Sequence, residues 1–233
     1  SLTSDRSETN VFRLEEMLPM SETPILTIYP LWRNHIHSNY HVFLSEYQTF
    51  SSRFSPPTHK GNVGVYADCD RFDKWHSIVL RLFDQDTKFS KLFPKTMRAL
   101  NDTGCVSSII FSTLAPGAVL TPHRGVSKTI LRYHLGLQVP RDSANCYITL
   151  WDEDGKEFRH SWEADEDVIF DDNFLHAVKN QTDDTRTVLF LDIRREFCDP
   201  AHQKIRDDIA RFASEHVRHN EVRNINALYD SLF

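Results

Sequence analysis

Lys128-Thr129-Ile130-Leu131-Arg132-Tyr133-His134-Leu135-Gly136-Leu137-Gln138-Val139 alternates along its whole length. Thr129, Leu131, Tyr133, Leu135, Leu137 and Val139 make one apolar face; Lys128, Ile130, Arg132, His134, Gly136 and Gln138 make the other. Every second side chain of a strand points the same way. The segment therefore reads as a strand that packs one face into hydrocarbon and carries Arg132 and His134 together on the opposite face. In a sandwich or barrel with an open interior, that second face lines a polar pocket. On an outer sheet it meets solvent, although Ile130 and Gly136 are unusual choices there.

Strand patterns recur on both sides, at 106–114, 146–151, 157–162, 168–170 and 186–193. Turn signals separate them: Pro116-Gly117, Pro140-Arg141-Asp142-Ser143 and Asp152-Glu153-Asp154-Gly155. Many short strands at near-regular spacing indicate a sandwich or barrel. Upstream, 32–50 reads as helix, 54–61 as loop, and 87–101 as a short helix interrupted or started at Phe93-Pro94. Residues 75–82 fit a strand and a helix almost equally. Downstream, Ala201, Ile205, Ile209 and Phe212 recur at helical spacing, as do Val222, Ile225, Leu228 and Leu232. The expected organisation is one domain over 1–233. It has a mobile or loosely docked arm at 1–25, a mixed helix and strand support at 26–104, a β core at 105–196 and helices at 197–233.

Composition narrows the class. The 233 residues hold 27 Lys and Arg against 33 Asp and Glu, a net charge of −6. Nucleic-acid binding by counterion displacement needs a basic face, so that class is set aside. With 40% hydrophobic and 26% charged residues, a packed core is expected and a soluble globular chain follows. No apolar run approaches the ~20 residues of a membrane span. Ser1 to Asn10 is polar and lacks a secretory signal; an address on a longer precursor stays open. Cys69, Cys105, Cys146 and Cys198 are far apart, which reads as reduced thiols and favours the cytoplasm.

Two histidines stand out. His123 lies in Thr121-Pro122-His123-Arg124-Gly125, between strands, and His176 ends Phe170-Asp171-Asp172-Asn173-Phe174-Leu175-His176. Each is expected just beyond a strand. Imidazole suits iron, zinc, copper and nickel, and two histidines so distant in sequence converge only in a closed β architecture. Each alone is also what a surface or core position would hold.

Their context resembles a family. Phe111-Ser112-Thr113-Leu114-Ala115-Pro116-Gly117, Pro122-His123-Arg124-Gly125, Leu131-Arg132-Tyr133-His134-Leu135-Gly136-Leu137 and Ile169-Phe170-Asp171-Asp172-Asn173-Phe174-Leu175-His176, with Arg186 ten positions later, are similar to the aspartyl/asparaginyl β-hydroxylases. The likeness spans 72–196. It implies an all-β core with flanking helices, a double-stranded β-helix of the jelly-roll, cupin-like kind, and an Fe(II)- and 2-oxoglutarate-dependent dioxygenase. It further implies His123 and His176 as metal ligands. Arg186, with Ser112 beside it, would take the distal carboxylate of 2-oxoglutarate. His134 would touch the cosubstrate near the metal, and Arg132 would face the cosubstrate or an acidic substrate. Asp172 would orient a metal-bound water or cap a turn.

An Arg fork matches a carboxylate bidentately, whereas an exposed ion pair of Arg186 with Asp183 or Asp184 would be worth under about 1 kcal/mol. The usual non-haem iron site adds a carboxylate to two histidines. Here Gly125 stands at that place, and Gly125→Asp is expected to tighten metal binding. Where peptide hydroxylases of the family it resembles often place a further basic residue, two before Arg132, this chain has Ile130. The substrate expected is an aspartyl or asparaginyl side chain or a small amino-acid-like metabolite. The competing reading is a non-catalytic or zinc-loaded β-sandwich that binds a carboxylate ligand. A lipid-modifying oxygenase is set aside for want of a basic amphipathic helix or apolar anchor. Oligomeric state stays open.

Overall fold

The computed structural model describes residues 13–59, 69, 70, 73–213, 215 and 219–232. A two-residue strand β1 (Ile25–Leu26) leads into helices α1 (Leu31–Ser38) and α2 (Tyr40–Ser51). Strands β2 (Trp75–Leu82) and β3 (Gln85–Asp86) follow, then α3 (Pro94–Asn101). Eight strands form the core: β4 (Val106–Leu114), β5 (Val119–His123), β6 (Ile130–Gln138), β7 (Cys146–Trp151), β8 (Glu157–Ser161), β9 (Asp167–Phe170), β10 (Leu175–Asn180) and β11 (Arg186–Arg194). Helices α4 (Pro200–Phe212) and α5 (His219–Leu232) close the described chain.

The chain passes back and forth between two sheets. One has the order β1-β9-β6-β11-β4-β2-β3 and the other β5-β10-β7-β8; every pairing is antiparallel. Four core strands lie in each sheet, the jelly-roll arrangement of a double-stranded β-helix. Residues 75–82 are a strand, which settles the ambiguity of their pattern. The core therefore extends upstream of 105, since β1, β2 and β3 widen the larger sheet.

Helices cover the outside of that larger sheet. Phe43, Tyr47 and Phe50 of α2 and Leu100 of α3 pack on Phe111, Leu135 and Leu189. A second apolar cluster, with Trp75, Leu114, Leu150, Trp162 and Phe170, fills the space between the sheets. Both faces of β6 are thus buried, and the side carrying Arg132 and His134 turns inward rather than to solvent.

Two expectations need correction. His123 and His176 lie within strands, β5 and β10, not beyond them. Pro122 obscures β5, yet β5 is a sheet edge, where a missing N–H is tolerated. The expected arm is docked where it is described, with Leu18 1% exposed and β1 paired to β9. Residues 1–12 and 60–61 lie outside the described residues.

Gly136 earns its place by crowding. A Cβ there would stand 2.1 Å from the carbonyl oxygen of Glu163, while the Gly136 N–H donates to the Glu166 carbonyl at 2.9 Å. Gly136→Ala is expected to lower unfolding free energy by about 1–3 kcal/mol, measured by urea denaturation. An unchanged midpoint would contradict the close approach.

Candidate active site

The seven residues singled out from sequence, Ser112, His123, Arg132, His134, Asp172, His176 and Arg186, line one cavity between the sheets. His123 and His176 are direct cross-strand partners of β5 and β10, and their ring centroids stand 4.2 Å apart. Each ring is tethered by the chain itself. Nδ1 of His123 lies 2.7 Å from the Thr121 carbonyl, and Nδ1 of His176 lies 2.9 Å from the Phe174 carbonyl. A carbonyl only accepts, so both Nδ1 atoms carry hydrogen and each ring's lone pair sits on Nε2. Burial lowers the pKa of His123. Burial, and then the neighbouring His123, push His176 down to about 3. A neutral imidazole with its lone pair on Nε2 is the form in which histidine binds a divalent metal ion.

No group of three or more His, Cys, Asp or Glu among the described residues is arranged to hold a metal. The geometry explains why no carboxylate sits at position 125. An ideal Cβ on Gly125 would lie 2.3–2.6 Å from the three carboxylate atoms of Asp172. The Gly125 N–H also donates to the Asp172 carbonyl at 2.6 Å. The volume that a side chain at 125 would need is filled by the carboxylate of 172. One oxygen of that buried group, Oδ2, accepts from Arg132; the other, Oδ1, has no hydrogen-bond partner in the protein.

Arg132 is committed on two sides. It is ion-paired to Asp172 and to Asp192, its direct partner across β6 and β11, and its guanidinium lies 4.2 Å over the Phe190 ring. It borders the cavity as expected, but an acidic substrate would have to compete with two aspartates for it. Asp192 was missed in the sequence because it sits inside an apolar strand without a motif of its own.

Arg186 is in the opposite condition. It is 2% exposed, so the surface pairing with Asp183 or Asp184 does not form. Its guanidinium lies 4.1 Å over the Trp162 ring, makes a 3.4 Å hydrogen bond to the Ser112 carbonyl, and leaves Nε without a partner. Among the described residues no carboxylate neutralises it. Burial lowers its pKa to about 10, because a charged group removed from water without a counter-ion is destabilised. Nearby, Trp75 Nε1 donates to Ser112 Oγ at 2.9 Å. The indole N–H can only donate, so the Ser112 hydroxyl hydrogen is directed elsewhere. Neither Trp75 nor Trp162 was singled out from sequence, since a tryptophan in a β protein reads as core. His134 is buried with both ring nitrogens unpartnered; burial and then Arg186 hold its pKa well below the usual histidine value.

The chain is a jelly roll of the cupin-like kind, with two imidazoles and two buried guanidinium groups, one of them without a carboxylate partner among the described residues, turned into its interior. It belongs to the aspartyl/asparaginyl β-hydroxylase family: residues 37–196 match the family profile described as aspartyl/asparaginyl beta-hydroxylase. The chain is 33% identical over 129 residues to an ornithine lipid ester-linked acyl 2-hydroxylase of Rhizobium tropici, covering 55% of this chain and 44% of that protein. It is 33% identical over 105 residues to the aspartyl/asparaginyl beta-hydroxylase of Mus musculus, covering 43% of this chain and 13% of that protein. The chain thus spans less than half the length of these curated relatives. A solved Pseudomonas putida prolyl-4-hydroxylase aligns over 80% of this chain and 99% of its own, with a TM-score of 0.47 and 13% identity.

Gly125→Asp does not simply add a ligand; it collides with Asp172. Alone it is expected to lower stability by about 1–3 kcal/mol, and the pair Gly125→Asp with Asp172→Gly to recover most of that loss. Additive losses in a double-mutant cycle would contradict the shared volume. The metal-free protein is also expected to lose stability as pH falls below about 6.5. His123, His134 and His176 stay neutral in the fold while the unfolded chain takes up protons. For His176 the loss continues towards pH 3. A urea midpoint that stays level between pH 7 and 4 would count against it.

Proposed function

We propose that this chain is an Fe(II)- and 2-oxoglutarate-dependent dioxygenase that hydroxylates an unactivated C–H bond. The observation that carries the reading is Arg186, a buried cation with no carboxylate partner among the described residues, in one cavity with two neutral, tethered imidazoles. His123 and His176 would hold Fe(II) through their Nε2 atoms. The bound iron and cosubstrate supply the oxidation: O₂ and 2-oxoglutarate are consumed, succinate and CO₂ are released, and one oxygen atom enters the substrate C–H bond.

The chain's own residues bind, orient and exclude. Arg186 takes the distal carboxylate of 2-oxoglutarate in its fork, and the Ser112 hydroxyl donates to the same group. His134, neutral and unpartnered, donates from one ring nitrogen to the cosubstrate nearer the metal. Asp172 Oδ1 accepts from a water beside the histidines, with Oδ2 pinned by Arg132. Phe170, Phe190 and Trp75 keep bulk water from the reacting carbon.

The substrate is an aspartyl or asparaginyl side chain, a small amino-acid-like metabolite, or an acyl chain. Two observations favour an uncharged reacting group. Arg132 is already engaged by two carboxylates, and Ile130 supplies no second cation. A neighbouring groove lined by Phe83, Ile110 and Val126 shares Trp75, Arg132 and Phe190 with the cavity, which suits an aliphatic chain such as that in the name of the Rhizobium relative. Among the described residues, no helix is long and apolar enough to cross a membrane.

With Fe(II) and 2-oxoglutarate, the protein is expected to release succinate and to add one oxygen atom to a member of a panel of aspartyl peptides, amino acids and acyl lipids, read by mass spectrometry. His176→Ala should abolish both. Arg186→Lys should raise the KM for 2-oxoglutarate roughly 10- to 100-fold, from the ~1.5–3 kcal/mol of a charge-assisted hydrogen bond. Retained zinc with no turnover of any candidate would favour a carboxylate-binding sandwich instead.

A further inference from the structure

We infer that residues 13–26, which precede the span matching the family, are a strap that positions the two loops flanking the histidine pair, with Glu15 as its positioning residue. The inference rests on the metal-site reading above. One loop, 124–129, follows His123; the other, 171–174, precedes His176. The loops touch each other directly: Arg124 Nη1 donates to the Asn173 carbonyl at 2.6 Å, and Asn173 Nδ2 donates to the Ser127 carbonyl at 3.1 Å.

The strap grips both. Glu15 Oε1 accepts from Ser127 Oγ at 2.6 Å and Oε2 from the Lys128 N–H at 2.8 Å. Lys128 Nζ donates back to the Leu18 carbonyl at 3.0 Å, and Leu18 itself is buried. On the second loop, the Ser21 N–H donates to Asp171 Oδ2 at 2.9 Å. Arg195 bridges that same carboxylate oxygen to Ser21 Oγ, at 2.8 Å on each side. The Asp171 N–H donates to the Pro24 carbonyl at 2.9 Å.

This grip matters because the β5–β10 ladder is irregular at this point. The register shifts between His176 and Val178, one step from the paired rings. The ladder alone leaves the ring separation loosely specified; tying the outer corners of both loops to one segment fixes it. Outer partners of metal-site residues typically change metal affinity 10- to 100-fold.

The test compares Glu15→Ala and Glu15→Gln with the parent protein by hydrogen exchange and by Mn(II) titration followed by electron paramagnetic resonance. Glu15→Ala is expected to speed exchange in 124–129 and also in 171–174, which Glu15 does not touch, and to weaken Mn(II) binding about tenfold. Glu15→Gln should behave like the parent, since its amide can accept from Lys128 and donate to Ser127. Ser127→Ala removes the same bond from the loop side and serves if Glu15→Ala does not fold. Exchange that changes only within 13–26, or an Mn(II) affinity unmoved while the loops loosen, would overturn the assignment. If the parent protein takes up no Mn(II), the metal-site reading fails, and exchange in 171–174 still decides the strap.

Discussion

The site depends on one cross-strand pairing. β5 and β10 bring His123 opposite His176, and no local signal in the chain could bring them together. The pairing exists because the eight core strands alternate between two sheets, so that segments far apart in sequence become neighbours. Each ring then needs only a backbone carbonyl two residues upstream to fix its tautomer. Closure of the sandwich sets the meeting point, and local turns set the aim.

Charge within the cavity is distributed unevenly, and the distribution is informative. Arg132 is held by Asp172 and Asp192, while Arg186 has an aromatic face and a carbonyl but no carboxylate among the described residues. Two buried guanidinium groups in one small space are tolerable because one is neutralised internally. The other meets an aromatic ring and a carbonyl, with no carboxylate beside it among the described residues.

Much of this was legible in the sequence. The alternation of 128–139 located both faces of β6, and the patterns at 106–114 and 146–151 coincide with β4 and β7. Arg132 and His134 share a face by strand periodicity alone. The two strands that carry the histidines were not legible. β5 contains Pro122, and β10 is short and holds Ala177 and an exposed Lys179. Their pairing is long-range, so periodicity says nothing about it. Trp75 and Asp192 act through tertiary contacts, and their roles exist only once the sheets are closed. The strap was misread because Glu15 and Ser21 look like solvated polar residues until Ser127 and Asp171 are seen beside them.

The shared volume of Gly125 and Asp172 has an implication for how such a pocket changes over generations. A carboxylate can occupy that space from either loop but not from both. A lineage moving it from one loop to the other cannot do so by a single substitution without first crowding the space or emptying it. The two arrangements are therefore neighbours in three dimensions yet separated in sequence, and the intermediate step acts as a barrier between them.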